Sequence, residues 1–389
     1  MIKAKMALNI ILKHAKSLGI EKIALPATLG RVLAEDVRAD VNIPAFDRSA
    51  MDGFAVNSKD KSNVFKIIED IPAGKVPKKK IKNGQCSRIM TGAMLPKGAD
   101  KVVKVEDTIV TGYRLQVTGY EKKSNVSKRG EDVRKSQLIL RKGTKIRPQE
   151  AAMLASVGKD KVKVTRKPKV AVISTGSELV EPYQKPGFGK IRNSNSSMLL
   201  VQLKRRDING KYLGIARDNF AATRKLIKKG LAEADILLLS GGVSVGDYDF
   251  VREVLKKCGV KIHFNKVAIK PGKPTVFGTK GQKLVFGLPG NPVSVLVIFE
   301  LFVVPAIDKM VGRITKEKLI PLKLLADFQR RDSKREQYFP VKLNKKGALP
   351  LEFHGSAHMQ ALTQADAIMQ IKRGIKKLRK GTTVHVGPI

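Results

Sequence analysis

The sequence predicts a multidomain chain: a doubly wound parallel-sheet α/β domain, a β domain inserted ahead of it, and a β-barrel-like domain behind it. Three observations carry this prediction. The chain has 389 residues, too many for one compact core and enough for two to four domains of about 100–200 residues each. From Lys169 onward, short apolar runs alternate with helical patterns, as strand–helix–strand winding requires. Over 41–136, and again from about Ile314, β-branched stretches are separated by glycine, proline and asparagine, which reads as small all-β structure.

The elements follow in order. Residues 4–18 read as an amphipathic helix capped by Gly19. In the insertion, VFKIIEDI, ADKVVKVED and RLQVTGY are strand candidates. Residues 148–157 start with proline and are followed by Gly158, the asymmetry of a short helix. KVAVIST, KYLGIA, DILLLS, KIHFNKVA and KLVFGLP then read as parallel strands. Helices are expected over 195–206, 219–229 and 250–257, and a long one from near Pro292. The expected division is 1–40 with 137–167 as a linker and dimerisation unit, 41–136 as the inserted β domain, 168–312 as the α/β domain, and 313–389 as the C-terminal β domain.

Composition narrows the class. Apolar residues make up 42% of the chain, enough for a large core. Cys86 and Cys258 cannot form a disulfide framework, so a reducing cytoplasmic setting is the simplest expectation. The apolar N-terminal stretch is broken by Asn9 and Lys13, unlike a signal peptide. The run from Val293 to Ile307 is interrupted by Glu300 and falls short of the ~20 residues of a membrane span. Lys+Arg number 76 against Asp+Glu 34, a net charge of +42. A polyanion partner is one reading of that excess. Scattered basic residues, 5% aromatics and no tryptophan favour a lysine-coated surface instead, with no nucleic-acid partner expected.

In an open parallel sheet, ligands bind beyond the carboxyl ends of the strands. Here three strands in succession deliver acids to that rim. KVAVIS runs into Thr175-Gly176-Ser177-Glu178, KYLGIA into Arg217-Asp218, and DILLLS into SGGVSVGDYD, with Asp247 and Asp249. One such acid is equally well a helix N-cap, and Asp218 carries that reading at even weight. Three together favour a cation site, and oxygen ligands without nearby Cys or His point to Mg²⁺. Ser240, Gly241, Gly242, Ser244 and Gly246 form a backbone cradle suited to a phosphate at a helix start. Lys266, then Lys270 and Lys273 in KPGKP with Pro274, then Pro289, Gly290, Asn291 and Ser294 in LPGNPVS, are two proline-fixed turns suited to clamping a second anion.

These motifs, with IPAFDRSAMDGFAV (43–56), MTGAMLP (90–96) and RGEDV (129–133), resemble the molybdopterin molybdenumtransferase family: bacterial MoeA and the E domains of gephyrin and its plant counterpart. The match covers essentially the whole chain. DRSAMDG and MTGA in an inserted β domain separate this branch from the adenylyltransferases that share the α/β domain. The resemblance implies a cytoplasmic homodimeric transferase that inserts molybdate into adenylylated molybdopterin, releases AMP and needs Mg²⁺. It implies roles for Asp52, Asp218, Asp249, Lys270 and Lys273 in catalysis, and for Glu178, Asp218 and Asp249 at the metal and pyrophosphate. Lys270, Lys273, Ser294, Arg335 and Ser356 are implied for molybdate. Asp52, Thr91 and Asp132 are implied to reach the site from the partner subunit, and contact with the adenylyltransferase is implied as well. Two stretches depart from the family pattern. Where it has Gly-Arg-x-x-Phe-x-Arg, this chain retains Arg335 in Lys334-Arg335-Glu336-Gln337-Tyr338-Phe339-Pro340, and His358 stands where small residues are common. The rival readings are a molybdopterin adenylyltransferase, a non-enzymatic scaffold and a nucleic-acid binder.

Overall fold

The computed structural model describes residues 1–119, 122–242, 251–313 and 319–388. Its central sheet has the strand order Gly210–Ala216, Val170–Thr175, Ile236–Ser240, Lys283–Leu288, Val276–Lys280, Lys261–Phe264. The first four strands run parallel; Val276–Lys280 runs against them, and Lys261–Phe264, antiparallel to Val276–Lys280, runs with them again. The sheet is therefore mixed, where the sequence suggested parallel strands throughout. The sequence reading passed over TVFGTK, which the turn at Gly281 (φ 57°) folds into a hairpin on Lys283–Leu288. The expected strand KIHFNKVA stops at Phe264 and forms the edge, paired antiparallel to Val276–Lys280 but running in the direction of the first four strands.

Side chains along these strands alternate between two cores, as a pleat with period two requires. Val170, Val172, Ile236, Leu238, Leu284 and Phe286 face the helices Ala4–His14, Ser194–Arg205 and Pro292–Ile298. Ala171, Ile173, Leu237, Leu239 and Val285 face Phe220–Glu233 and Val251–Lys257. The sheet is covered on both sides, so it is doubly wound as expected. The apolar run after Pro292 is a buried helical rod rather than a membrane element. Among the described residues no helix is long and apolar enough to cross a membrane. The rod passes through a π-helical stretch, Phe299–Val303, just before Pro305. Proline has no N–H for an α-helical bond, which accounts for the local change of pitch.

The N-terminal helix is shorter than expected, Ala4–His14. Beyond it the chain extends to pair with 161–165, and the Leu18 and Gly19 carbonyls accept from Arg166. This tertiary pairing overrides the helical pattern of 15–18. The helix Pro148–Ser156 forms as the proline and glycine predict. The inserted strands form a separate sheet, ordered Lys101–Lys104, Gly53–Val56, Gln85–Ile89, Val64–Ile71, Arg114–Val117, Thr108–Thr111. The tail builds another, ordered Ile269–Lys270, Glu336–Asn344, Ala367–Ile371, Thr383–Pro388, Ile320–Lys323. Its first strand belongs to the KPGKP region. Lys270 is thereby aligned with Gln337, two residues beyond Arg335.

Candidate active site

The rim of the central sheet is built from glycine turns that admit no side chain. Gly176 (φ 145°) donates its N–H to Ala216 O at 3.0 Å, and the Glu178 carboxylate folds over it. A Cβ on Gly176 would lie 2.4 Å from Glu178 Oε2. On the neighbouring strand, Asp218 Oδ2 accepts Ser177 N–H at 2.8 Å, while Asp218 N–H donates to Ser177 Oγ at 2.9 Å. This reciprocal pair locks two strand-end loops together. The N-cap of the next helix is Asn219, whose Oδ1 accepts from Ala221 and Ala222. Asp218 is thus left at the rim beside Glu178, both exposed.

The third strand ends in Ser240-Gly241-Gly242. Gly241 has φ 94° and Gly242 φ 63°, a region that favours glycine. A Cβ on Gly241 would lie 2.4 Å from Thr175 O, and one on Gly242 2.7 Å from Thr175 Oγ1. Thr175 Oγ1 itself donates to Ser240 O at 3.3 Å. Asp249, Ser244 and Gly246 lie outside the described residues.

Asn195 joins this cradle to the next turn, a role the sequence reading missed. Its amide donates to Ser240 Oγ at 2.9 Å and to Gly290 O at 2.6 Å. The only sequence signal was its place at the start of a helical pattern. Its neighbour Asn193 is the cap, accepting Ser196 N–H. A Cβ on Gly290 would stand 4.0 Å from Gly241 Cα, so the two turns are adjacent.

The Asn291 and KPGKP turns each meet residues of the tail. Pro289 and Ser294 are buried and Asn291 is exposed. Asn291 Nδ2 donates to Ser356 Oγ at 2.7 Å, and Val293 N–H donates to Ser356 O at 3.2 Å. Ser356, from the tail, therefore sits on the Asn291 turn. Arg335 Nη1 donates to Ile269 O at 3.2 Å, beside Lys270. The Asp332 carboxyl is held below the usual range, first by the Lys334 N–H and then by the charges of Arg335, Lys334 and Lys270. This places Lys270 and Arg335 in one electrostatic neighbourhood. In KPGKP, Thr275 Oγ1 donates to Gly272 O at 2.7 Å and Val267 N–H to Lys273 O at 3.0 Å. The turn is fixed, with the Lys270 and Lys273 side chains exposed and Pro274 half-buried between the turn and its strand. Lys266 is tied through its backbone carbonyl to Ile2.

In the inserted sheet, Asp52 and Thr91 meet directly. Asp52 Oδ1 accepts Thr91 N–H at 2.6 Å and Thr91 Oγ1–H at 2.7 Å. These donors, then the charge of Arg88, hold the Asp52 carboxyl below its ordinary value. Asp132 lies on the RGEDV turn, its N–H on Ile43 O at 3.1 Å. Among the described residues of one chain, the Asp52 carboxylate is bonded by Thr91 and not by the α/β rim.

The turns at Gly241 and Gly290 lie side by side; Glu178 and Asp218 are exposed at neighbouring strand ends, and Lys270 and Lys273 on the KPGKP turn. Residues 2–158 match the MoeA N-terminal region (domain I and II), 171–309 a probable molybdopterin binding domain, and 322–389 the MoeA C-terminal region (domain IV). A molybdopterin molybdenumtransferase from Staphylococcus epidermidis is 36% identical over 397 residues, covering 99% of this chain and 95% of that one. The chain belongs to the MoeA family. The Bacillus subtilis molybdopterin molybdenumtransferase is also 36% identical, over 94% of this chain and 89% of its own. A molybdopterin biosynthesis MoeA protein from Pyrococcus horikoshii superposes with a TM-score of 0.87 at 32% identity, over 100% of both chains. Family membership covers the inserted β sheet and the tail as well as the α/β domain, which an adenylyltransferase built on the α/β domain alone does not require.

Proposed function

We propose that this protein is a molybdopterin molybdenumtransferase of molybdenum cofactor biosynthesis, inserting molybdate into adenylylated molybdopterin with release of AMP. The observation that carries the proposal is Ser356 docked on the Asn291 turn, which supports a polar anion site beside the glycine turns. A pyrophosphate lies against the backbone of Gly241 and Gly242, where the lack of side chains allows close approach; the Gly241 N–H itself is bonded to Leu288 O at 3.0 Å. Molybdate lies among Lys270, Lys273, Ser294, Arg335 and Ser356; the lysines and Arg335 supply positive charge against its repulsion from the pyrophosphate, and the serines supply hydroxyl donors. Holding both anions together converts an encounter into a positioned reaction. Water attacks the phosphoanhydride, its P–O bond breaks and AMP leaves; the two dithiolene thiols bind molybdenum, and their two protons leave with one molybdate oxygen as water.

A divalent cation fits the donors at the rim. Glu178 and Asp218 are exposed oxygen ligands from adjacent strand ends, and one oxygen of Asp218 is already oriented by Ser177 N–H. Among the described residues no three metal-binding side chains are grouped; Asp249, the third acid of this proposal, lies outside them. Mg²⁺ held there would neutralise the pyrophosphate and polarise it. The proposal also includes a cytoplasmic homodimer in which Asp52, Thr91 and Asp132 complete the partner's site, and contact with the adenylyltransferase that supplies the substrate.

The adenylyltransferase reading is separated by substrate. Purified protein given molybdopterin and ATP should release no pyrophosphate, and given adenylylated molybdopterin, Mg²⁺ and molybdate should release AMP. The reverse pattern overturns the proposal.

A further inference from the structure

We propose that His358 is a positioning residue that holds Ser356 at the anion pocket. The inference rests on the reading of Ser356 as a molybdate contact. Ser356 lies on a short loop at Gly355 (φ 124°), ahead of the helix Met359–Thr363. From the α/β side it is held by Asn291 and Val293. From its own side it is held by His358. The His358 N–H donates to Gly355 O at 3.0 Å, and its ring Nδ1 accepts the His354 N–H at 3.3 Å. Those two bonds close the loop on both sides of Ser356. Accepting at Nδ1 assigns the ring proton to Nε2.

The ring is itself anchored. It lies parallel to Phe353, with centroids 6.4 Å apart at 11°, and stacks on His354 at 4.9 Å and 19°. Phe353 meets Phe339 edge-on at 5.4 Å, and Phe339 meets Phe328 at 4.8 Å. This aromatic series runs from the loop into the core of the C-terminal sheet, where Phe328 is buried. His354 Nε2 is 3.2 Å from Glu352 Oε1, which steadies the outer ring. A small residue at 358 offers neither the acceptor nor the stacking surface. The Gly355 bond is made by the backbone, so the imidazole's own part is the His354 N–H bond and the stacking.

The test is steady-state kinetics of AMP release with molybdate varied, beside amide exchange of Val293, whose N–H reports the docking of Ser356. His358→Ala should raise half-saturating molybdate about two- to tenfold, the worth of one net hydrogen bond. It should leave half-saturating adenylylated pterin and the maximal rate within about twofold, and speed Val293 exchange. His358→Asn, which places an acceptor near the Nδ1 position, should recover most of both losses. A Ser356→Ala control separates the two layers. If that variant leaves molybdate dependence unchanged, the reading of Ser356 fails. If Ser356→Ala raises half-saturating molybdate while His358→Ala changes neither molybdate dependence nor Val293 exchange, the positioning role is overturned. A His358→Asn variant as impaired as His358→Ala also overturns it.

Discussion

Lys273 and Asp52 illustrate opposite ways of holding a charge for use. Lys273 has its backbone carbonyl bound by Val267 and its side chain exposed, so its charge is available to a ligand. Replacing it with alanine should raise the molybdate needed for half-maximal AMP release by about ten- to a hundredfold, since a charge-assisted contact contributes about 1.5–3 kcal/mol. Unchanged molybdate dependence would remove it from the pocket. Asp52 is instead stabilised as an anion by Thr91 N–H, Thr91 Oγ1–H and Arg88. Its folded-state value lies below the ~3.9 of an unfolded aspartate. The stability this contributes is present above that unfolded value and is lost as pH falls through the folded one. Carbon-13 titration should place its midpoint below that of an ordinary aspartate, and Thr91→Val, which keeps the N–H donor, should move it part of the way back. A wild-type midpoint at or above the ordinary value contradicts the assignment. The proline–glycine turn around Lys273 was visible in the sequence. The Asp52–Thr91 bond was not, because it joins residues 39 positions apart across two strands.

At the scale of elements, the glycine turns determine how closely the cradles approach. Gly241 combines φ 94° with a Cβ position 2.4 Å from the Thr175 carbonyl. Gly241→Ala should therefore destabilise the strand end by about 1–3 kcal/mol. It should slow AMP release about a hundredfold, because a displacement of about 1 Å at a positioned reaction has that effect. Circular dichroism and AMP release measured together check this. Near-normal turnover in a folded variant would show that the cradle tolerates a side chain. The double winding and the glycine turns were legible because strands and turns announce themselves locally. The antiparallel hairpin of 276–288 was hidden because short apolar runs carry no direction. The early end of the first helix was hidden because it depends on pairing with residues about 145 positions away. Asn195 shows the same limit: its two contacts, Ser240 and Gly290, become neighbours only after the sheet has formed.

Across the whole molecule, the inserted sheet carrying Asp52 and the rim carrying Asp218 are brought to one site, in this account, by two-fold pairing of subunits. Mixing inactive Asp52→Ala with inactive Asp218→Ala should then restore activity, because a mixed dimer holds one site with both aspartates. With random exchange about half the dimers are mixed and each has one good site, giving about a quarter of wild-type turnover. Mass-tagged chains establish the exchange. With exchange established, no recovery would mean that each subunit builds its site alone. The insertion reaction itself is read by following AMP and protein-bound molybdopterin in one mixture of protein, adenylylated molybdopterin, Mg²⁺ and molybdate. Molybdate-dependent AMP release is expected, with one molybdenum entering the pterin for each AMP formed. AMP release without molybdenum incorporation, or no AMP at all with intact substrate bound, would contradict it.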